Sequence, residues 1–313
     1  MSSIRPDEVA LVALTTRALP SDVRPLSSRE VWPLLEGGRI DGLLSRNAEA
    51  LTTVPKTAPD VINRAMFLLD RLTQTGALLQ EWAEQGIWTV TAPTDEYPAA
   101  LKRRLGPQAP VVLHGVGDRG QLASEGIGVV GSRNLSESGF KVARAAGRLA
   151  AAEGLVLVSG GARGADVAAM DAAVDAGGHS TAVLADSLRR AGRDSRAREL
   201  IYDGRVCLVT PYHPDVSFTA GNAMGRNKII YGLSNAVLVV ASDQDRGGTW
   251  SGAVEALKTR STRVCVWRGD GEGEGNAVLV KRGGEPVSDV AELTDEGSKE
   301  SSHDEHEQLR LDL

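Results

Sequence analysis

A parallel α/β sheet with helices on both faces, preceded by a smaller helical region and followed by a charged tail, is the fold class predicted by three observations. From residue 126 onward, short Val-, Leu- and Ile-rich runs alternate with helical segments of about a dozen residues. Those runs are nearly continuous in apolar character, the signature of strands buried on both faces rather than on one. Upstream, the first 110 residues are rich in Leu and Ala and show no strand alternation.

Taken in order, residues 61–82 place Val61, Ala65, Leu68, Leu69, Leu72, Leu78, Leu79 and Trp82 at helical spacing. The short apolar runs 87–90 and 111–114, separated by turn chemistry around Pro93 and Pro98, predict two strands at the junction. The main strands follow at 127–130, 155–159, 180–184, 205–210, 236–241 and 263–267, with Ala-rich helices at 140–152 and 165–176 and a further helix at 253–259. A last strand is predicted at 277–281. This is a Rossmann-like, doubly wound pattern. The predicted division is a mainly helical region with lead-in strand over residues 1–110, a Rossmann-like domain over 111–289, and a disordered acidic tail over 290–313, where apolar residues become too sparse to build a core.

The formal net charge of -6 argues at first against a nucleic-acid partner. Its distribution reverses that inference. Residues 295–313 hold seven acids against Lys299 and Arg310, a net -5, whereas residues 126–264 hold 17 Lys and Arg against 13 Asp and Glu, a net +4. No stretch reaches the roughly 18 apolar residues of a membrane span and no secretory leader is evident, so a cytoplasmic protein is expected. Two cysteines, Cys207 and Cys265, are too few for a disulfide framework and lie in apolar runs. No metal-ligand spacing, paired-carboxylate motif or Ser-His-Asp order occurs, and neither cofactor, metal nor enzymatic activity is expected.

Ligands of open α/β sheets bind at the carboxyl ends of the strands, and the loops there are unusual. After the first main strand comes Gly131-Ser132-Arg133-Asn134. It reads either as a phosphate cradle at a helix start or as a capped turn with its Arg in solvent. After the second comes Ser159-Gly160-Gly161-Ala162-Arg163-Gly164-Ala165-Asp166, whose glycines let the backbone curl round a phosphate or sugar. This is neither a dinucleotide fingerprint nor a P-loop. Asp166 reads as an N-terminal helix charge. The third loop, Gly221-Asn222-Ala223-Met224-Gly225-Arg226-Asn227-Lys228, carries an Arg226-Asn227-Lys228 triplet that is expected to start a helix packing Ile229, Ile230 and Leu233 inward. Two cations at a helix start oppose the macrodipole, which points to an external anion, with a solvated basic face as the other reading. Arg246-Gly247-Gly248-Thr249-Trp250-Ser251-Gly252 adds a further Gly-rich helix start.

These loops, in this order, resemble the DprA/Smf family of DNA-processing proteins. The match extends upstream through Gly86-Ile87-Trp88 and Tyr97-Pro98 and covers roughly residues 79–267. The resemblance implies an extended Rossmann-like fold that binds single-stranded DNA in a basic pocket, self-associates as a homo-oligomer and helps load a RecA-type recombinase in recombination, DNA uptake (competence) or protection. Carried over by position, Arg133, Arg163, Arg226 and Lys228 contact phosphates, while Ser132, Ser159, Gly160, Gly164 and Asn227 shape the pocket. The chain departs from the pattern at Gly161, Ala165 and Met224-Gly225, and no winged-helix segment is expected after the sheet; it is identified as a short, divergent member. An Arg-rich stretch, Arg189, Arg190, Arg193, Arg196 and Arg198, reads either as additional DNA contacts, Arg189, Arg190 and Arg193 foremost, or as an ion-paired helix face. Trp250 and Tyr231 are open to base stacking or to packing.

The chain ends Gln308-Leu309-Arg310-Leu311-Asp312-Leu313, which is similar to the bacterial sliding-clamp-binding peptide: Gln308, Leu309, Leu311 and Leu313 are its candidate anchors. Two other functions stay open. One is a nucleotide-binding enzyme or sensor of the related phosphoribohydrolase-like group, of whose Gly-Gly-x-Gly-Thr loop residues 246–255 are a loose echo, with Glu255 at the wrong spacing for its acid. The other is a clamp-tethered adaptor in DNA repair or phage defence.

Overall fold

The computed structural model describes residues 4–17, 22–35, 44 and 58–295. Within them the apolar runs form one sheet with strand order β1-β2-β6-β5-β4-β3-β7-β8-β9. The strands are β1 (Trp88–Thr91), β2 (Val112–Val116), β3 (Gly126–Val130), β4 (Val156–Ser159), β5 (His179–Val183), β6 (Val206–Thr210), β7 (Ala236–Val239), β8 (Arg263–Trp267) and β9 (Glu285–Val287). From β6 across to β9 every neighbouring pair is parallel, and β1 and β2 close the β6 side as antiparallel strands. The six main strands lie within a residue or two of their predicted bounds. The chain winds from β3 outward to β6 and then returns to β7 beside β3. That reversal makes a topological switch point, a crevice at the carboxyl ends of β3 and β7.

The helices are α1 (Pro6–Thr15), α2 (Ser28–Leu35), α3 (Pro59–Leu69), α4 (Leu72–Glu84), α5 (Ala99–Leu105), α6 (Glu137–Ala152), α7 (Ala165–Asp175), α8 (Leu188–Ala191), α9 (Ser195–Tyr202), α10 (Ala220–Leu233), α11 (Gly247–Thr259) and α12 (Asn276–Lys281). Alternate strand residues feed two cores. Ile127, Val129, Leu157 and Leu238 pack with the Ala faces of α6 and α7. Val130, Val156, Val158, Val237 and Val239 pack with α10, α11 and the leader helices. Such alternation follows from the two-residue period of a strand, and the apolar residues on both sides explain why the runs look continuous in sequence. The α6–α7 contact is close because Gly147 carries no side chain: a Cβ there would drive into the Ala169 backbone.

The leader shares its core with the sheet. Leu11, Leu14, Trp32, Leu69 and Trp82 belong to the same buried cluster as Leu113 and Val209, so the expected boundary near residue 110 falls between two paired strands, not between two cores. Trp32 Nε1 donates to the Ala109 carbonyl at 2.8 Å and the Tyr97 hydroxyl to that of Pro110 at 2.6 Å. His114 on β2 is fully buried, edge-on to Trp82 with centroids 5.0 Å apart, and Trp82 meets the His213 ring at 5.1 Å.

Residues 61–82 are helical as expected, in two helices broken at Asp70 and Arg71. Two expectations need correction. Residues 277–281 lie in α12 rather than a strand, and the last strand is β9; a short apolar run does not by itself separate the two states. Beyond Asp289, where disorder is expected, Val290–Leu293 is a 3₁₀ turn fixed by a capping box between Asp289 and Glu292, with Leu293 buried. Residues 296–313, with the terminal hexapeptide, lie outside the described residues.

Burial holds the His114 imidazole neutral, pushing its pKa down to about 3. In the unfolded chain it returns to about 6.5. Stability from neutral His114 is therefore present above pH 6.5 and is lost as pH falls toward 3, at up to about 1.4 kcal/mol per pH unit once the unfolded chain takes up the proton. We expect urea midpoints to drop between pH 7 and pH 5, and the drop to shrink in His114→Phe. An equal slope in both proteins would refute this.

Candidate nucleic-acid interface

A cavity of about 580 Å³ opens at the switch point. Its walls come from the loop after β3 (Gly131, Ser132, Arg133, Asn134), the first turns of α10 (Ala220, Ala223, Met224, Asn227), the end of β7 (Ala241, Ser242) and the start of α11 (Arg246, Gly247, Gly248, Thr249). Each segment is there for a local reason. Gly164, at φ +96°, lets the loop after β4 pass directly against the backbone of Ser132 and Arg133. Ser136 caps α6 by accepting from the Gly139 N–H at 3.1 Å, and Thr219 caps α10 by accepting from the Asn222 N–H at 3.0 Å. Thr249 donates to the Gly131 carbonyl at 3.0 Å, tying α11 to the β3 loop. Arg246, the N-cap of α11, offers no side-chain cap. The helix therefore opens into the cavity with its positive end.

Arg226 does not start a helix. Thr219 caps α10 well upstream, so Arg226 sits in the second turn, is 7% exposed, and donates through Nη1 to the carbonyls of Gly160 and Val183, both at 2.5 Å. It also offsets Asp166, whose carboxylate accepts from the Ala162 N–H at 3.2 Å. Burial still raises the Asp166 pKa to about 6, against the lowering pull of Arg226. The pair thus forms the structural floor of the cavity, and because α10 begins at Ala220, Arg226 and Lys228 do not stand at a helix start.

The other predicted residues divide. Ser132, Arg133 and Asn227 line the cavity, Asn227 donating to the Gly248 carbonyl at 3.0 Å. Ser159 is fully buried and spends its hydroxyl on the Val129 carbonyl at 2.6 Å, while Gly160 offers its carbonyl to Arg226; both shape the floor. Gly164 shapes the wall. Arg163 is exposed and outside the lining. Lys228 points elsewhere, paired with Glu255 at 2.9 Å and donating to Gln108 at 2.8 Å. The same pair turns Glu255 away from the cavity lining. Arg189 is ion-paired with Asp215 at 2.9 Å and Glu81 at 3.7 Å, and Arg190 with Asp186 at 2.5 Å, which favours the ion-paired reading for both; Arg193 is exposed. Trp250 and Tyr231 are buried packing residues.

Sequence reasoning missed two residues at the mouth. Phe218 is 54% exposed with the Arg133 guanidinium 5.9 Å from its ring centroid, and Met224 is 52% exposed. Exposed apolar side chains beside a cation form a surface on which planar groups stack. The available signal was Phe218 immediately before the Thr219 cap. Among the described residues there is no cluster of metal-ligating side chains, and no helix is long and apolar enough to cross a membrane.

Residues 88–297, about two thirds of the chain, match the model of the DNA recombination-mediator protein A family. The chain is 30% identical over 232 residues to the DNA processing protein DprA of Bacillus subtilis, a match covering 72% of this chain and 75% of that one. Other relatives are longer, the match spanning 57% of one and 54% of another. The crystal structure of DprA from Streptococcus pneumoniae superposes with a TM-score of 0.66 at 25% identity, covering 87% of this chain and 98% of that one. DNA processing protein A from Helicobacter pylori, described for its single-stranded DNA binding mode, shares the fold with a TM-score of 0.54 at 22% identity, covering 66% and 93%.

Proposed function

Because the chain belongs to the DNA recombination-mediator protein A family, the DprA/Smf group of DNA-processing proteins, we propose that the switch-point cavity is a single-stranded DNA site. The observation that carries this reading is the cavity mouth, where Arg133 stands over an exposed Phe218 beside the open start of α11. Arg133 supplies a charge for a backbone phosphate, Phe218 and Met224 supply apolar surface for a base, and Ser132 and Asn227 complete the rim. The Helicobacter relative's single-stranded DNA binding supports the same ligand class. In this reading the protein is a non-enzymatic accessory of recombination, uptake or protection. Its sites are Ser132, Arg133 and Asn227 at the surface, with Ser159, Gly160, Gly164 and Arg226 acting from below. Arg163, Arg193 and Lys228 lie outside the lining, and in this reading they meet DNA along its path beyond the cavity.

Arg133→Ala is expected to weaken binding to a labelled oligo(dT) about tenfold, with the slope of log affinity against log salt falling by about 0.7, the value for one phosphate contact on a single strand. Fluorescence anisotropy across a salt series measures both, and unchanged affinity would remove the cavity from the DNA path. A RecA-type recombinase and a second copy of the chain are the proposed protein partners, on family grounds. The terminal peptide, Gln308 to Leu313, is proposed to dock on the sliding clamp, the alternating Leu309, Leu311 and Leu313 being anchors of an extended segment. Deleting residues 308–313 should abolish clamp pull-down.

A further inference from the structure

The loop between β6 and α10, residues 211–219, carries Phe218 to the mouth of the cavity and contains neither helix nor strand. Its shape is set from both sides. Toward α10, the Tyr212 hydroxyl donates to the Asn222 carbonyl at 2.9 Å, and the Asn222 side-chain amide donates to the carbonyl of Ser217, next to Phe218, at 3.3 Å. Toward β6 the chain closes a turn, with the Asp215 N–H on His213 Nδ1 at 3.0 Å and the Val216 N–H on the His213 carbonyl at 2.9 Å. Arg189 grips that turn: its Nε lies 2.9 Å from an Asp215 carboxylate oxygen, and its backbone N–H donates to the Pro214 carbonyl at 3.1 Å. The same guanidinium crosses to the leader, where Nη1 donates to the Gln85 side chain at the end of α4 and lies 3.7 Å from the Glu81 carboxylate. Beside them Trp82 of α4 meets the His213 ring edge-on, with centroids 5.1 Å apart.

A loop without a ladder of main-chain bonds samples many conformations unless its surroundings fix it, and any ordering left until binding subtracts from affinity. The planar fork of an arginine suits it to bridging two segments at once. Arg189, His213 and Asp215 lie outside the cavity lining, so their route to a bound strand is through the ring that the loop carries. A phosphate at Arg189 would meet the Glu81 and Asp215 carboxylates, which makes a direct contact unfavourable. We propose that Arg189 and Trp82 are positioning residues of the strand site: through them leader helix α4 holds the β6–α10 loop, and with it Phe218, in the conformation on which a base stacks. The leader thereby pre-orders the DNA site without touching DNA. The inference rests on the strand-binding reading of the cavity and gives Arg189 a part in it that is not a phosphate contact.

Fluorescence anisotropy of the full chain with labelled oligo(dT) across a salt series, on Arg189→Ala, Arg189→Lys, Phe218→Ala and the double variant Arg189→Ala with Phe218→Ala, tests it. Arg189→Ala is expected to weaken binding about fivefold, the effect of leaving a loop and one ring to be ordered by the strand, with the slope of log affinity against log salt unchanged. Arg189→Lys keeps the charge but cannot span both partners, and should lose nearly as much. Once Phe218 is removed, truncating Arg189 should weaken binding by less than about twofold, because the two act as one unit. Gln85→Ala, which removes only an exposed partner at the end of α4, should shift affinity in the same direction with the melting temperature in place. Amide hydrogen exchange over residues 213–219 should quicken in Arg189→Ala. A salt slope lower by about 0.7, losses that add in the double variant, full affinity in Arg189→Lys, or unchanged exchange would each overturn the inference and leave the strand reading intact. Absence of oligonucleotide binding by the parent chain would overturn both.

Discussion

Arg226→Ala should cost the fold about 3–5 kcal/mol, although the residue resembles a DNA ligand by position. Its guanidinium is buried and occupied: Nη1 serves the carbonyls of Gly160 and Val183, and its charge offsets Asp166. Truncation would leave two carbonyls without their donor, a buried carboxylate without its counter-charge, and a void between α10 and the ends of β4 and β5. Urea denaturation at pH 7 measures the loss. The double change Arg226→Ala with Asp166→Asn should recover part of it, because the neutral amide no longer needs a cation. A single variant that loses less than about 1 kcal/mol would show that Arg226 is not the floor of the site.

Gly164→Ala should act on binding as much as on stability. The residue adopts φ +96°, and a Cβ would lie 2.7 Å from the Arg133 Cα and 2.9 Å from its carbonyl carbon. The loop carrying Ser132 and Arg133 must then move away from the mouth of the cavity. We expect oligonucleotide affinity to fall more than tenfold and stability by about 1–3 kcal/mol, the cost of a disfavoured backbone region held against its neighbours. Anisotropy and a thermal melt read the two effects. Full retention of binding would mean that the two loops can slide past each other.

The sheet was legible because its strands are buried on both sides, so β3 to β8 stand out as apolar runs whatever their neighbours. Short helices were not: Ala277, Val278, Leu279 and Val280 read as a strand, yet they lie in α12, where of these four only Leu279 is fully buried. The candidate loops were found because glycines at the strand ends are a local signal. What each charged side chain does with its charge depends on partners far away in sequence. Arg226 is spent on Gly160 and Val183, and Lys228 on Glu255 and Gln108, so neither fate can be seen in the Gly225-Arg226-Asn227-Lys228 string itself. Thr219 was the missed clue: an N-cap that starts α10 about two turns before the arginine.

The two outer strands bear on how copies of the chain can meet. At one margin β9 is only three residues, Glu285, Pro286 and Val287, and its middle residue has no amide hydrogen to donate. At the other, β1 is four residues long, α1 packs beside it, and Arg5 reaches its Thr91 hydroxyl at 3.3 Å. Neither margin offers the long run of free main-chain groups that a neighbouring sheet needs in order to continue across the boundary. Among the described residues, an association across these margins would therefore be specified by side chains, where single substitutions can tune it, more than by backbone pairing.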